Sequence, residues 1–158
     1  MVREVIIAII NMMKILKLEN DMLQQGWSII IGDLVDTLEY LYKGGRLSKT
    51  AAIAGGILNI KPVLAIDDGE IKILGKARGS KPGNNFLVRE IEKAGGVDFE
   101  RPVLLGYTGL SNALLVKYIE DSKKLWEDNR ASLNSTIIGS VIGTHAGPGA
   151  IAVAFFRK

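Results

Sequence analysis

The spacing of apolar residues alternates between two periods along the chain, and this alternation predicts helices interleaved with strands. Over residues 3–24 the apolar positions recur every three or four residues, as on one face of a helix. Later apolar runs are shorter, rich in branched residues and bounded by glycine, proline or aspartate, which favours strands. Residues 27–31 form one such run, and five strands are expected to share a sheet, at 60–66, 70–74, 102–107, 136–142 and 150–156.

Helical spacing fills the intervals between these runs. Asp33 and Ser48 suit the N-cap position of two helices, the second of which covers 49–58. Two more helices are predicted at 85–94 and 111–127. This order of elements predicts an α/β fold, a two-layer sandwich in which helices cover at least one face of a mixed sheet.

The first predicted helix is apolar around more of its circumference than one neighbour would cover. Ile7, Ile10 and Ile15 widen the apolar stripe between residues 5 and 16. An uncovered apolar surface of this kind favours association. We therefore expect this helix to pack against another copy of the chain, in a homodimer.

Composition narrows the possible functions. The chain has 158 residues, of which 47% are hydrophobic, enough for one domain with a core. A net charge of +3 is too small and too scattered to indicate nucleic-acid binding. Without cysteine and with one histidine, the chain is expected to hold no metal and no cofactor.

The N-terminal apolar run covers only residues 5–10 and is followed by Asn11 and Lys14. It is too short to span a bilayer, and no small-residue cleavage site follows it. The sequence therefore predicts a cytoplasmic protein.

The only histidine, His145, lies among glycines in the segment 142–150. Apolar runs on both sides predict a strand, a tight turn and a second strand. The glycines could expose backbone N–H groups to an anion while His145 supplies a proton or a hydrogen bond. The alternative is a hairpin in which the histidine is merely packed.

Two further segments carry positive charge. Arg46 and Ser48 follow paired glycines at a predicted helix start, where anions are attracted. Arg78 lies in a basic, glycine-bearing loop predicted over 76–84. Charges of this kind are often only solvated, but we expect Arg46, Arg78 and His145 to share one side of the domain. Arg46 and His145 would then reach a single carboxylate or small anion.

Four segments resemble, in this order, the C-terminal domain of the DegV family of bacterial fatty-acid-binding proteins: residues 37–49, 58–69, 76–79 and 138–150. The resemblance implies a binding protein, not an enzyme, which presents a long-chain fatty acid to a fatty acid kinase. The residues expected to contact the ligand are Arg46, Ser48, Thr144, His145 and Gly147. Those expected to meet the kinase are Arg46, Arg78 and His145.

The resemblance also divides the chain. Residues 1–26 resemble a helix that links two domains, and 27–158 resemble the lipid-binding C-terminal domain. The family's N-terminal domain carries Thr-Ser and Ser-Gly-Thr motifs that hold the carboxylate, and neither occurs here. We therefore expect a truncated protein equivalent to the second half of a DegV protein. Two alternatives remain: an interaction or oligomerisation domain that has lost lipid binding, or a phosphoryl- or acyl-transfer enzyme that uses His145.

Overall fold

Six strands form a single mixed sheet in the computed structural model, which describes residues 27–32, 42, 43, 45, 60–67 and 70–158. Their order in the sheet is β3-β2-β1-β6-β4-β5. Strands β4 and β5 are parallel, and every other neighbouring pair is antiparallel. The strands are β1 (Trp27–Gly32), β2 (Ile60–Asp67), β3 (Glu70–Arg78), β4 (Leu104–Tyr107), β5 (Asn134–Ile137) and β6 (Ile151–Phe156).

The described helices are α1 (Ser80–Lys93), α2 (Ala113–Asp121), α3 (Lys123–Trp126) and α4 (Ser140–Ala146), with a 3-10 turn at Glu127–Ser132. The predicted α/β fold with a mixed sheet is confirmed. All five strands expected to share a sheet contribute to it, and β1 adds a sixth.

Helices α1, α2 and α3 enclose the main core against one face of the sheet. Leu87 and Ile91, one turn apart on α1, are completely buried there. Every second residue of a strand points to the same face. The strand residues that reach this core are Ile30, Val63, Leu105, Ile151, Val153 and Phe155, and Val103 joins them directly before β4.

The predicted strand at 136–142 is wrong from residue 138 onward. Strand β5 ends at Ile137, and residues 140–146 form helix α4. Strands β5 and β6 are therefore not a hairpin, because each pairs with β4. Ile142 and Ala146, four residues apart, pack against the sheet as one helical face. This packing outweighs the strand preference of Val141, Ile142 and Thr144.

The predicted loop at 76–84 is also wrong. Strand β3 continues to Arg78, which pairs with Ile60, and α1 begins at Ser80. Only Gly79 separates the two elements, and its φ of 89° is a conformation that glycine adopts without strain. Pairing with the long strand β2 holds Lys76 and Arg78 extended, which local composition does not reveal.

The predicted helix at 111–127 is interrupted at Ser122. The Ser122 hydroxyl donates a hydrogen bond to the Tyr118 carbonyl oxygen and accepts one from Trp126 Nε1 at 2.9 Å. A serine that bonds back to the preceding turn bends a helix. Burial raises the pKa of the Tyr118 hydroxyl, and nearby Ser122 and Trp126 offset part of that effect.

Several expectations fall on residues outside the described ranges: the helix at 3–24 with its dimer contact, the N-caps Asp33 and Ser48, and the helix at 49–58. Among the described helices, none is long and apolar enough to cross a bilayer.

Asp121 ties α2 to α1. Its Oδ2 atom accepts hydrogen bonds from Asn84 Nδ2 and Lys117 Nζ, both at 2.8 Å. The Lys117 hydrogen bond is the largest cause that lowers the pKa of Asp121, and Asn84 lowers it further against an opposing desolvation effect.

We predict that this carboxylate makes folding stability acid-sensitive. Because its pKa is lower in the folded than in the unfolded protein, its contribution is complete at neutral pH. That contribution is lost as the pH falls below about 4, through the folded-state pKa. Asp121→Asn should lower the denaturation midpoint at neutral pH and flatten its acid dependence, measured by urea unfolding across pH. Glu100→Gln, an exposed site, controls for the charge change. Equal acid slopes in Asp121→Asn and the parent chain would contradict the prediction.

Candidate functional site

One edge of the sheet gathers the chain segments that carry the candidate chemistry. The strand pairings place the ends of β1, β3, β4 and β5 and the starts of β2 and β6 at this edge. We call it the site edge. Gly32, Arg78 and Tyr107 end their strands there, and Ile151 begins β6. The loops and helices that follow these strands therefore converge on one end of the domain.

The face of the sheet opposite α1 and α2 is apolar across five strands. Two rows of directly paired residues cross it: Ile71, Ile66, Ile29, Ala154 and Leu104, and nearer the site edge Ile73, Leu64, Ile31, Ala152 and Gly106. We call these two rows the apolar face. Neither row contains a polar side chain, and the smallest side chains lie on β6 and β4. We call this strip of small side chains the trough. Ala152 and Ala154 in it are 7% and 5% exposed, so it is not open to solvent.

Helix α4 lies against the apolar face at the site edge. Ala146 is buried in a small cluster with Leu64 and Ala150, and Ile142 packs against this cluster. The same helix places the partly buried side chain of His145 in its last turn. Thr144 is exposed, and its hydroxyl donates to the Val141 carbonyl oxygen at 2.9 Å. His145 therefore stands where the apolar face meets the site edge, in a helix and not in a hairpin turn.

Thr108 holds the loop that joins α4 to β6. Its hydroxyl donates to the Gly147 carbonyl oxygen at 2.6 Å and accepts from the Ala150 N–H at 2.8 Å. Gly147 and Gly149 have φ values of 75° and 83°, the left-handed region that favours glycine. Thr108 is 1% exposed, so both hydrogen bonds are made out of water.

The backbone amides of the glycine loop are not free to bind an anion, contrary to the prediction from the sequence. The Gly147 N–H donates to the Gly143 carbonyl oxygen at 2.8 Å, and the Gly149 N–H donates to the Thr108 carbonyl oxygen at 3.1 Å. These amides are occupied within the chain, so the loop does not offer the cradle of bare N–H groups expected from the sequence. That Gly147 contacts a ligand by another atom stays a prediction.

The sequence did not predict a role for Thr108. The signal available for it is weak: a hydroxyl residue directly after an apolar strand and before a glycine, in Tyr107-Thr108-Gly109. Nothing local indicates that it reaches a loop about forty residues away in sequence.

Arg78 shares the site edge with His145. The register of β3 puts Lys76 and Arg78 on the same side of the sheet as Ile73, which is the apolar-face side. Strands β3 and β6 are three positions apart in the sheet, or roughly 14 Å at strand spacing. Arg78 is exposed and accessible to a partner.

Arg46 and Ser48 lie outside the described residues. Strand β1, which precedes them in the chain, ends at the site edge, and β2, which follows them, begins there. The convergence of Arg46 with His145 stays a prediction. In the described part of the chain, no group of three or more histidine or acidic side chains could hold a metal ion.

The chain matches the family model described as "Uncharacterised protein, DegV family" over residues 20–158. It is 40% identical over 133 residues to a DegV domain-containing protein of Caldanaerobacter subterraneus subsp. tengcongensis, covering 78% of the chain and 43% of the relative. The chain belongs to the DegV family. The resemblance inferred from the sequence motifs is thereby confirmed, for a chain that spans less than half the length of this relative.

Solved structures support the same fold. A stearic-acid-binding protein from Eubacterium ventriosum is 29% identical, with a TM-score of 0.62, and the match covers 83% of the chain and 45% of that protein. The Streptococcus pneumoniae Fatty Acid Kinase (Fak) B3 protein, loaded with linoleic acid, is 21% identical with a TM-score of 0.70, covering 84% of the chain and 45% of that protein. At this lower identity the second likeness supports the fold alone.

We predict that the Thr108 hydroxyl stabilises the site-edge loop of the DegV chain. Thr108→Val keeps the shape of the side chain but leaves the Gly147 carbonyl and the Ala150 N–H unpaired, which should cost about 2 kcal/mol or more. Thr108→Ser keeps the hydroxyl and should cost about 1 kcal/mol or less. Urea unfolding measures both, and hydrogen exchange at the Ala150 amide reports the loop directly. Equal losses in the two variants would exclude the hydrogen-bonding role.

Proposed function

We propose that this DegV chain binds a long-chain fatty acid, with the acyl chain along the apolar face and the carboxylate at the site edge. One observation carries this proposal: the apolar face ends where α4 places His145. An apolar surface that terminates at a polar, cationic edge matches a ligand with a long apolar tail and one charged head. The ligand of the 29% identical Eubacterium ventriosum protein is of this kind.

In this proposal the acyl chain lies over the small residues of the trough. Ala152 and Ala154 lie between larger side chains of β1 and β4. A Cβ atom added at Gly106 would lie 3.0 Å from the Ile138 side chain, so Ile138 already fills the trough beside β4. The space for a ligand is therefore best sought over β6 and β1, where Ala154 faces Ile29.

The carboxylate of the fatty acid needs hydrogen-bond donors held in fixed positions, whereas burial of the acyl chain supplies most of the binding affinity. Each buried methylene contributes about 0.8 kcal/mol, so the tail dominates the binding free energy. His145 is the described residue best placed to meet the carboxylate, and Arg46, Ser48, Thr144 and Gly147 remain the further proposed contacts. Arg78 lies farther along the site edge, which suits contact with a partner more than contact with the same carboxylate.

We assign the chain a carrier role and no catalysis of its own. Among the described residues, no carboxylate makes a hydrogen bond or an ion pair with His145 that would orient it as a base. A phosphoryl donor would come from a separate fatty acid kinase, whose active site must reach the head group at the site edge around Arg46, Arg78 and His145. Such a kinase uses ATP, so we propose the cytoplasm as the compartment.

Chain-length dependence tests this function. We expect fatty acid to be extracted from the chain purified without denaturation and identified by mass spectrometry. In calorimetry on the delipidated protein, each two-carbon shortening of the acid should weaken binding by about tenfold. An affinity independent of chain length, or no lipid and no binding, would contradict the proposal. That negative result would favour an interaction domain without ligand.

Narrowing the trough should change the preferred acyl length. Ala154→Phe adds a ring to the apolar face beside Ile29 and Leu104, so long acids should bind at least tenfold more weakly while short acids lose less. Val116→Phe adds the same ring at an exposed position of α2 and serves as the control. Thermal unfolding of both variants verifies the fold. Equal effects of the two variants on binding would place the acyl chain elsewhere.

Removing His145 should weaken recognition of the charged head alone. His145→Ala is expected to lower affinity for a fatty acid by about tenfold, since a hydrogen bond to a charged group contributes about 1.5 kcal/mol. Affinity for the fatty alcohol of equal length should change little. Arg89 is an exposed residue of α1, on the face of the sheet opposite the apolar face. Arg89→Ala therefore removes a cation far from the site and is the control. The same loss for acid and alcohol would mean that His145 acts through packing.

A further inference from the structure

No described strand pairs with the outer edge of β5. Strand β5 is the last strand of the described sheet, and Asn134, Ser135 and Ile137 are exposed. Ile137 is 55% exposed although it is a large apolar residue. Proteins usually protect such edges with lysine, proline, a bulge or a covering element. Residues 131–144 contain no charged residue and no proline, in a chain that is 23% charged.

The backbone of this edge is open at two alternate residues. The Ile138 N–H donates to the Tyr107 carbonyl oxygen at 2.7 Å, so Ile138 directs its backbone groups toward β4. In a strand the direction alternates from one residue to the next. Ser135 and Ile137 therefore direct their N–H and C=O groups away from β4. Thr136 Oγ1 is 3.5 Å from the Ile137 carbonyl oxygen, at the outer limit for a hydrogen bond, and leaves this group accessible.

We propose that β5 pairs with β5 of a second copy of this chain, antiparallel and centred on Thr136. In this register Ser135 of each copy lies opposite Ile137 of the other, and the two residues exchange both N–H···O=C bonds. The pairing is symmetric, so one surface supplies both sides of the contact. It gives a continuous twelve-stranded sheet. The pairing is an alternative to the association expected of the helix at 3–24, and the variants below distinguish the two.

A second copy fits this edge because the edge is self-complementary in hydrogen bonding and carries no charge that would repel its own equivalent. Each chain carries a net charge of +3, so two copies repel unless they meet at an uncharged surface. The edge of β5 and the start of helix α4 form such an uncharged surface, because the segment 131–144 contains no charged residue. Pairing also covers the exposed side chain of Ile137, which faces Ser135 of the other copy.

Proline substitution isolates the hydrogen bonds of this edge. Ser135→Pro removes an N–H that β4 does not use, and proline is tolerated on edge strands in this orientation. We expect the parent chain to sediment at twice its 17.1 kDa mass at micromolar concentration. Ser135→Pro should weaken the dimer by roughly tenfold or more, because the symmetric contact loses two hydrogen bonds. Ser135→Ala keeps the N–H and should leave the dimer unchanged.

A second pair of variants keeps the test independent of proline tolerance. Thr136→Lys places two like charges directly opposite each other across the two-fold axis and should weaken the dimer, whereas Thr136→Val should not. Circular dichroism verifies the fold of every variant. Hydrogen exchange at the Ser135 and Ile137 amides should slow as concentration rises. The proposal is overturned if the parent chain is a monomer, which is also the result expected if a different protein occupies this edge. It is equally overturned if the parent chain is a dimer that neither Ser135→Pro nor Thr136→Lys weakens.

Discussion

Burial of β6 on both faces is the constraint on which the rest of the structure depends. All six of its residues are buried, so it must lie in the interior of the sheet with neighbours on each side. Its large residues, Ile151, Val153 and Phe155, face the helices and fill the core. Ala152 and Ala154 face the other way. The alternation of large and small side chains on one strand therefore gives the sheet one face with bulky core residues and an opposite face with small ones.

The same strand determines where the polar groups lie. Strand β6 begins at the site edge, so the preceding loop and α4 must end there. Thr108 follows β4, the antiparallel neighbour of β6, and thus meets the loop at the point where the two strands start and end. The position of His145 follows from this pairing, since α4 spans the short interval between the end of β5 and the start of β6.

The sequence predicted the fold class, and it predicted the strands whose ends are marked by glycine, proline or aspartate. The predicted helix end at residue 94 agrees closely with the end of α1 at Lys93, where Gly95 and Gly96 follow with φ values of 112° and 76°. The segment 138–146 was predicted wrongly because a short apolar run is compatible with strand and helix alike. Its contacts with residues far away in sequence, Leu64 among them, favour the helix. The role of Thr108 and the occupied amides of Gly147 and Gly149 also depend on contacts between segments far apart in sequence. Neighbouring residues therefore could not predict them.

A sheet offers side chains on its faces and backbone groups at its edges, so lipid binding and edge pairing do not compete. The proposed fatty acid contacts the side chains of Ala152 and Ala154 on β6, whereas the proposed dimer uses the backbone of Ser135 and Ile137 on β5, two strand positions away. Antiparallel pairing of β5 places the two-fold axis perpendicular to the sheet. The two apolar faces then lie on the same side, but the two site edges point in opposite directions. Each carboxylate would therefore remain accessible to its own partner protein, and neither copy would block the other.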